Sequence, residues 1–265
     1  MVCQLPDILK RLVLIGACLA PGVASAHAAC TGNSLGSGSL GVARTIEIDA
    51  SAGPIFGSLT RQQREPSFLQ PKEVVLTFDD GPMPWVTKSI LDTLDRHCTK
   101  ATFFSVGRMA MAYPATVKDV LARGHTLGTH TYSHPYNMPR MKAEAATAEI
   151  ERGIAAVTTA AGGPIAPFFR FTGLSDSARL LGYLQTRGIA TFTVDAVSND
   201  SYIGDPLKLA DRTMAELART KGRHRSVPRY QAGNCEGAAG YSRPVGSRRI
   251  YGRAHHGQAA LCAAG

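Results

Sequence analysis

Between residues 71 and 222 the chain switches repeatedly between two hydrophobic periodicities. Glu73 to Phe78 is a short apolar run of the kind that makes a buried strand, and Val86 to His97 then sets Ile90, Leu91 and Leu94 at helical spacing. Ala101 to Val106 is β-rich again. A helix around Ala115 to Arg123 closed by Gly124, a short strand at Thr126 to Thr131, and a long Ala/Glu-rich helix from Met141 to about Ala161 follow. Phe168 to Phe171, a helix over Ser177 to Arg187, the strand Ile189 to Val194 and a helix over Pro206 to Arg219 complete the series. Such alternation predicts an α/β domain over 71–222 built on a parallel sheet or barrel.

The flanks are different. Upstream, a Gly/Ser-rich stretch at 31–42 leads to a short alternating piece, Arg44 to Ile48, expected as a strand, and a polar connection to about Gln70. Together 27–70 reads as an N-terminal extension. Downstream, the helix ending at Lys221-Gly222 should be followed by another apolar strand, yet residues 223–265 hold only four of the Leu, Ile, Val, Met and Phe class. The expected barrel therefore lacks its last strand. At the other end Lys10 and Arg11 precede the apolar run Leu12 to Val23 and the triplet Ala24-Ser25-Ala26, the order of a cleavable export signal over 1–26. That run is too short to span a bilayer, so the expectation is a periplasmic or secreted protein with no stable membrane insertion after cleavage.

Composition narrows the function classes. Apolar residues at 44% and charged residues at 18% are ordinary globular usage, which excludes wholesale disorder and a multi-span membrane protein. The net charge of +9 suggests a nucleic-acid partner until it is divided: residues 221–265 hold eight Lys or Arg and one acid, so the tail carries +7 of it. The main domain has no basic face to offer nucleic acid. Export permits disulfides among Cys30, Cys98, Cys235 and Cys262, but no C-x-x-C pair marks a zinc ribbon or redox motif.

Two clusters could do chemistry. Thr77-Phe78-Asp79-Asp80-Gly81-Pro82 puts adjacent carboxylates at the carboxyl end of a buried strand, where α/β folds place ligands, although Asp, Gly and Pro also make plain turns. Gly128-Thr129-His130-Thr131-Tyr132-Ser133-His134-Pro135 also ends a strand. Two histidines four apart can aim both imidazoles at one ion, and a carboxylate from another strand completes a facial set. His125 reads as an ordinary strand histidine.

The pair T-F-D-D-G-P and H-T-Y-S-H resembles the first two motifs of the polysaccharide deacetylase family, from about Pro71 to Gly222. The resemblance implies an irregular (β/α) barrel, a zinc or other divalent ion, and removal of acetyl groups from N- or O-acetylated oligo- or polysaccharides. It implies Asp79 as catalytic base and Asp80, His130 and His134 as metal ligands. In the third motif Arg170 matches, while Thr172 stands where the family has proline. The fourth motif is blurred, with Asp195 and Asp200 as candidates and Asp195 the catalytic choice. The fifth, an apolar L-x-H that supplies a histidine general acid, has no counterpart in frame: His224, His255 and His256 lack strand context. The non-catalytic alternative is an exported carbohydrate-binding remnant of the same fold.

The tail has its own reading. Shifted by one base, codons for Arg223 to Gln231 can encode G-I-V-L-F-H-D-I, an apolar strand ending in L-x-H where both strand and acid are missing. The expectation is that a frameshift replaced the domain's end.

Overall fold

The computed structural model describes residues 40–70, 73–219 and 226–227. The expected export signal over 1–26 and nearly all of the tail over 223–265 lie outside the described residues.

The predicted alternation is present. β2 (Val75–Asp79) leads into α1 (Pro84–Arg96), β3 (Thr102–Ser105), α2 (Gly107–Ala112) and α3 (Pro114–Ala122). β4 (Thr126–Thr129), α4 (Ala143–Ala161), β5 (Phe168–Phe169), α5 (Ala178–Thr186), β6 (Ala190–Phe192) and α6 (Pro206–Arg219) follow. Two short strands flank the set, β1 (Ile55–Phe56) and β7 (Ser226–Val227). All pairings are parallel, in the order β1-β6-β5-β4-β3-β2-β7, so the curled sheet is a partial barrel with all its strands' carboxyl ends on one face.

Three details depart from the expected pattern. Arg44 to Ile48 is not a strand: Arg44 pairs with Glu73 at 2.7 Å and donates to the Phe68 carbonyl, which ties this segment to the surface. The strand contributed by the extension is β1, eleven residues after Arg44, paired with β6. The second is α2, which the pattern did not show. Its six residues stop at Tyr113 because Pro114 cannot extend a helix but can open one, at the first position of α3. The third is the last strand, of which the described residues Ser226 and Val227 pair in parallel with Val75 and Leu76.

The outer face of the sheet is apolar. Leu76, Phe78 and Phe103 pack against Ile90, Leu91 and Leu94 of α1 and Val117 and Val120 of α3. A second cluster joins Phe169 and Phe171 to Ile150 of α4 and Leu180, Leu181 and Leu184 of α5. Because strand side chains alternate, the neighbours of these residues, Thr77, Asp79, Phe104 and Arg170, turn to the inner face.

Candidate metal and acid–base site

Arg170 organises the inner face. It is fully buried, and one of its terminal nitrogens donates to Thr77 Oγ1 at 2.7 Å and to Asp79 Oδ1 at 2.8 Å. Its remaining donors go to the Phe192 and Thr193 carbonyls, both at 3.2 Å, and its guanidinium lies 4.2 Å above the Phe104 ring. Burial lowers its pKa and the Asp79 charge opposes that, so the pair is held together by mutual need. Removing one member would strand a charge in the core, at a cost of roughly 3–5 kcal/mol.

Asp80 follows at the end of β2 with φ 70, which swings its carboxylate from the sheet toward the loop after β4. There its Oδ1 lies 3.3 Å from His130 Nε2 and 2.8 Å from His134 Nε2. Burial pushes the Asp80 carboxyl up, but the two imidazoles more than reverse this and hold it well below the usual carboxylate range. One ligand atom from each of Asp80, His130 and His134 lies within 4.8 Å of the others.

The donor set fits a divalent cation. His130 Nδ1 lies 2.7 Å from the Arg170 carbonyl, an acceptor, so this nitrogen carries the proton and Nε2 keeps its lone pair. Both Nε2 atoms are buried, and beyond their close approach to Asp80 Oδ1 neither has a hydrogen-bond partner among the described residues. Two imidazoles and a carboxylate converging on one point are a ligand set suited to zinc or a similar ion.

The loop after β4 is forced into this shape. Thr131 and His134 both have left-handed φ, 66 and 65, so with Asp80 three of the six described non-glycine residues in that region stand here. Each costs on the order of 1–3 kcal/mol, and persists only where neighbours over-determine it. Those neighbours come mostly from α4. The Glu149 carboxylate accepts from Ser133 N at 2.8 Å and from Ser133 Oγ at 2.9 Å, and Arg152 lies 3.9 Å over the Tyr132 ring. Gly153 lets the loop touch the helix: a Cβ there would stand 2.6 Å from the Thr131 carbonyl carbon. From the other side, His134 N donates to Thr131 Oγ1 at 3.1 Å, and the Thr172 hydroxyl donates to the Pro135 carbonyl.

Thus Asp79 with Arg170, and Asp80 with His130 and His134, form two adjoining groups linked through Arg170. Asp195 stands apart from Arg170's bonds, lining a cavity of about 50 Å³ inside the sheet with Arg64, Phe68 and Phe192. Asp200 is buried and accepts from Ser198 Oγ at 2.9 Å. The sequence reading missed Glu149, Arg152, Gly153, the bond from Arg170 to Thr77 and the clasp made by Thr172. Gly153 did leave a signal, since glycine in mid-helix costs about 1 kcal/mol and needs a reason.

Residues 69–192 match the family model described as polysaccharide deacetylase. A peptidoglycan-N-acetylglucosamine deacetylase from Bacillus cereus is 54% identical over 63 residues, 24% of this chain and 23% of that protein. A chitooligosaccharide deacetylase from Azorhizobium caulinodans is 44% identical over 62 residues, 23% of this chain and 30% of that protein. The matched segments thus span under a third of these relatives' lengths. Among solved structures, a peptidoglycan deacetylase from Bdellovibrio bacteriovorus superposes with a TM-score of 0.64 at 28% identity, over 74% of this chain and 53% of that one.

Proposed function

From the match of residues 69–192 to the polysaccharide deacetylase family, we propose that this chain is a periplasmic or secreted metal-dependent hydrolase that removes acetyl groups from an acetylated glycan. The observation that carries the reading is the convergence of Asp80, His130 and His134 beside an Asp79 whose partner is the buried Arg170. The relatives' names point to N-acetylated sugars of peptidoglycan or chitin type.

Each residue has a task. Asp80, His130 and His134 would hold the ion, and a divalent ion there supplies a Lewis acid for the acetyl carbonyl and the attacking water. Asp79 takes the proton from that water; Arg170 fixes one of its oxygens by a hydrogen bond, leaving the other to work. Hydrolysis then releases acetate and leaves an amine, or a hydroxyl for an O-acetyl ester. Asp195 follows β6, two residues after the Thr193 carbonyl that accepts from Arg170, and is the further catalytic residue of this reading. Cys98 is disulfide-bonded, which agrees with an oxidising periplasmic or extracellular location. Among the described residues no helix is long and apolar enough to cross a membrane.

The protonating acid is a separate matter. Of the described histidines other than the two ligands, His97 caps the end of α1 and His125 precedes β4, both away from the carboxyl ends of the strands. The resemblance assigns protonation of the leaving amine to a histidine of the fifth motif, which the sequence lacks in frame; loss of such an acid would slow turnover by roughly 10²- to 10⁴-fold. The lack of an in-frame L-x-H motif in the sequence favours the second reading, a carbohydrate-binding remnant with the cleft but without turnover. Acetate release from N-acetylglucosamine oligomers and from peptidoglycan separates the two. The Zn²⁺-loaded protein should release acetate slowly. Asp79→Asn should keep the metal and release none, whereas His134→Ala should lose the metal. An Asp79→Asn variant as active as the parent would refute the mechanism.

A further inference from the structure

The turn Asp79-Asp80-Gly81-Pro82 has two sides. On one, Asp80 meets the two histidines; on the side of α1 the turn borders a cavity of about 330 Å³. Phe78 and Phe103 of the sheet, Val86 and Ile90 of α1 and Val120 of α3 make its walls apolar. The polar side chains along it are Asp79, Asp80, Ser105 and Thr87, and the Thr87 hydroxyl already accepts from Met83 N at 2.9 Å. A mainly apolar space therefore reaches the same two carboxylates that the proposed reaction uses.

A void of this size is not ordinary packing. Close-packed interiors hold few spaces larger than a water, and an empty one costs stability. Ligand pockets begin at about 300 Å³ and are mostly apolar, with a few placed polar groups. The cavity that Asp195 lines, at about 50 Å³, falls well short of that.

We propose that the larger cavity receives the acyl tail of the substrate, so that the chain hydrolyses acyl groups longer than acetyl, up to about eight carbons. This rests on the deacetylase reading, which puts the reacting carbonyl at an ion held by Asp80, with Asp79 beside it. Such a carbonyl carries two groups, the sugar nitrogen or oxygen and the acyl tail. The hydroxyls of a sugar would leave water for walls with few partners to offer, whereas an alkyl tail gains by the same move. An acetyl methyl, taking roughly the 30 Å³ share of a water, would fill only a small part of the space; a tail of about eight carbons would fill most of it. The bond changes are those of any such hydrolysis. The water oxygen joins the carbonyl carbon and the bond from that carbon to the sugar breaks. One water proton goes to the leaving nitrogen or oxygen, the other goes to solvent, and an aliphatic carboxylate is released.

The test uses the full chain loaded with Zn²⁺ and glucosamine carrying N-acetyl, N-butyryl, N-hexanoyl or N-octanoyl groups. Release of the free amine gives kcat/KM for each, and calorimetry on the Zn²⁺-loaded Asp79→Asn variant gives binding without turnover. Both should rise with tail length, by roughly fourfold for each added methylene that is buried. Val86→Phe fills the cavity from α1 and should collapse the ratio of octanoyl to acetyl binding by at least about tenfold. Tm and Zn²⁺ affinity are measured alongside; if Val86→Phe disturbs either, Met83→Phe, which narrows the same cavity from the turn, decides by the same ratio. Binding and turnover that are flat or fall with tail length, or a ratio indifferent to both fillings, overturn the acyl site even when acetate release upholds the deacetylase. Binding that rises with length without release of any acyl group upholds the cavity as an acyl site and overturns the hydrolase reading.

Discussion

The carboxylate of Glu149 holds the turn between the two histidines, and its removal gives a sharp test of how the site is built. It accepts two hydrogen bonds from Ser133, at 2.8 and 2.9 Å, and Ser133 lies between His130 and His134. Bonds to a charged acceptor contribute about 1.5–3 kcal/mol each, with the lower end suited to a half-exposed carboxylate. Part of that energy offsets the left-handed backbone at Thr131 and His134. Without it the loop relaxes and His134 leaves its aim toward Asp80. Loss of such a supporting partner costs metal affinity about 10- to 100-fold, or roughly 1.4–2.8 kcal/mol. Calorimetric titration of Zn²⁺ into Glu149→Ala should show that loss, and the visible spectrum of the Co²⁺ form should change as the ligand geometry loosens. Ser133→Ala removes only the hydroxyl bond and should fall between parent and Glu149→Ala. Glu149→Gln removes the charge but keeps one accepting oxygen, so it separates long-range attraction for the cation from the clamp itself. If Glu149→Ala bound Zn²⁺ within twofold of the parent, with an unchanged Co²⁺ spectrum, the clamp would have no bearing on the ligands.

Gly153→Ala should be harsher than an alanine in mid-helix normally is, because its Cβ would stand 2.6 Å from Thr131; a fall in Tm together with weaker metal binding is expected, and a gain in Tm would contradict the contact. His125 gives a pH dependence: burial first, and then the Lys100 charge, push its pKa down to about 4, below its ordinary value of 6.5. The unfolded chain therefore takes up a proton that the folded one refuses, so the neutral-histidine contribution is complete above pH 6.5 and is lost as pH falls toward about 4. That loss amounts to roughly 3 kcal/mol and should be visible in denaturant unfolding, whereas His125→Gln should flatten the slope over this window. For the tail, we propose replacing everything after Gly222 with the product of the shifted frame. This should raise solubility and acetate release together, and equal turnover by the two forms would show that the present tail is no impairment.

What could be read from the chain and what could not follows from how far each feature reaches. Asp79 and Asp80 are adjacent, His130 and His134 share one turn, and their strands announce themselves by short apolar runs, so local pattern was enough to single out these candidate ligands, which the fold brings together. The supports are another matter. Glu149 reaches Ser133 across sixteen residues, and Thr172 reaches Pro135 across thirty-seven, contacts that exist only once α4 and the loop after β5 have docked. No periodicity encodes such a meeting; only Gly153 hints at one, because a glycine in an otherwise Ala-rich helix signals a close neighbour. Arg170 is intermediate, since its motif identified it but not that it would join both halves of the site, with its guanidinium on Asp79 and its carbonyl on His130. The sheet's far edge shows the same logic in reverse. Arg44 to Ile48 has strand-like alternation but lies where an ion pair to Glu73 holds it outside the sheet, while the two residues of β1 carry almost no pattern and yet pair with β6. At the other edge Val227, one of only four large aliphatic or Phe residues after Gly222, is the one that pairs beside Leu76. The chain thus still approaches β2 in parallel register after α6, although the sequence there no longer supplies the apolar run that would extend the strand toward Asp79.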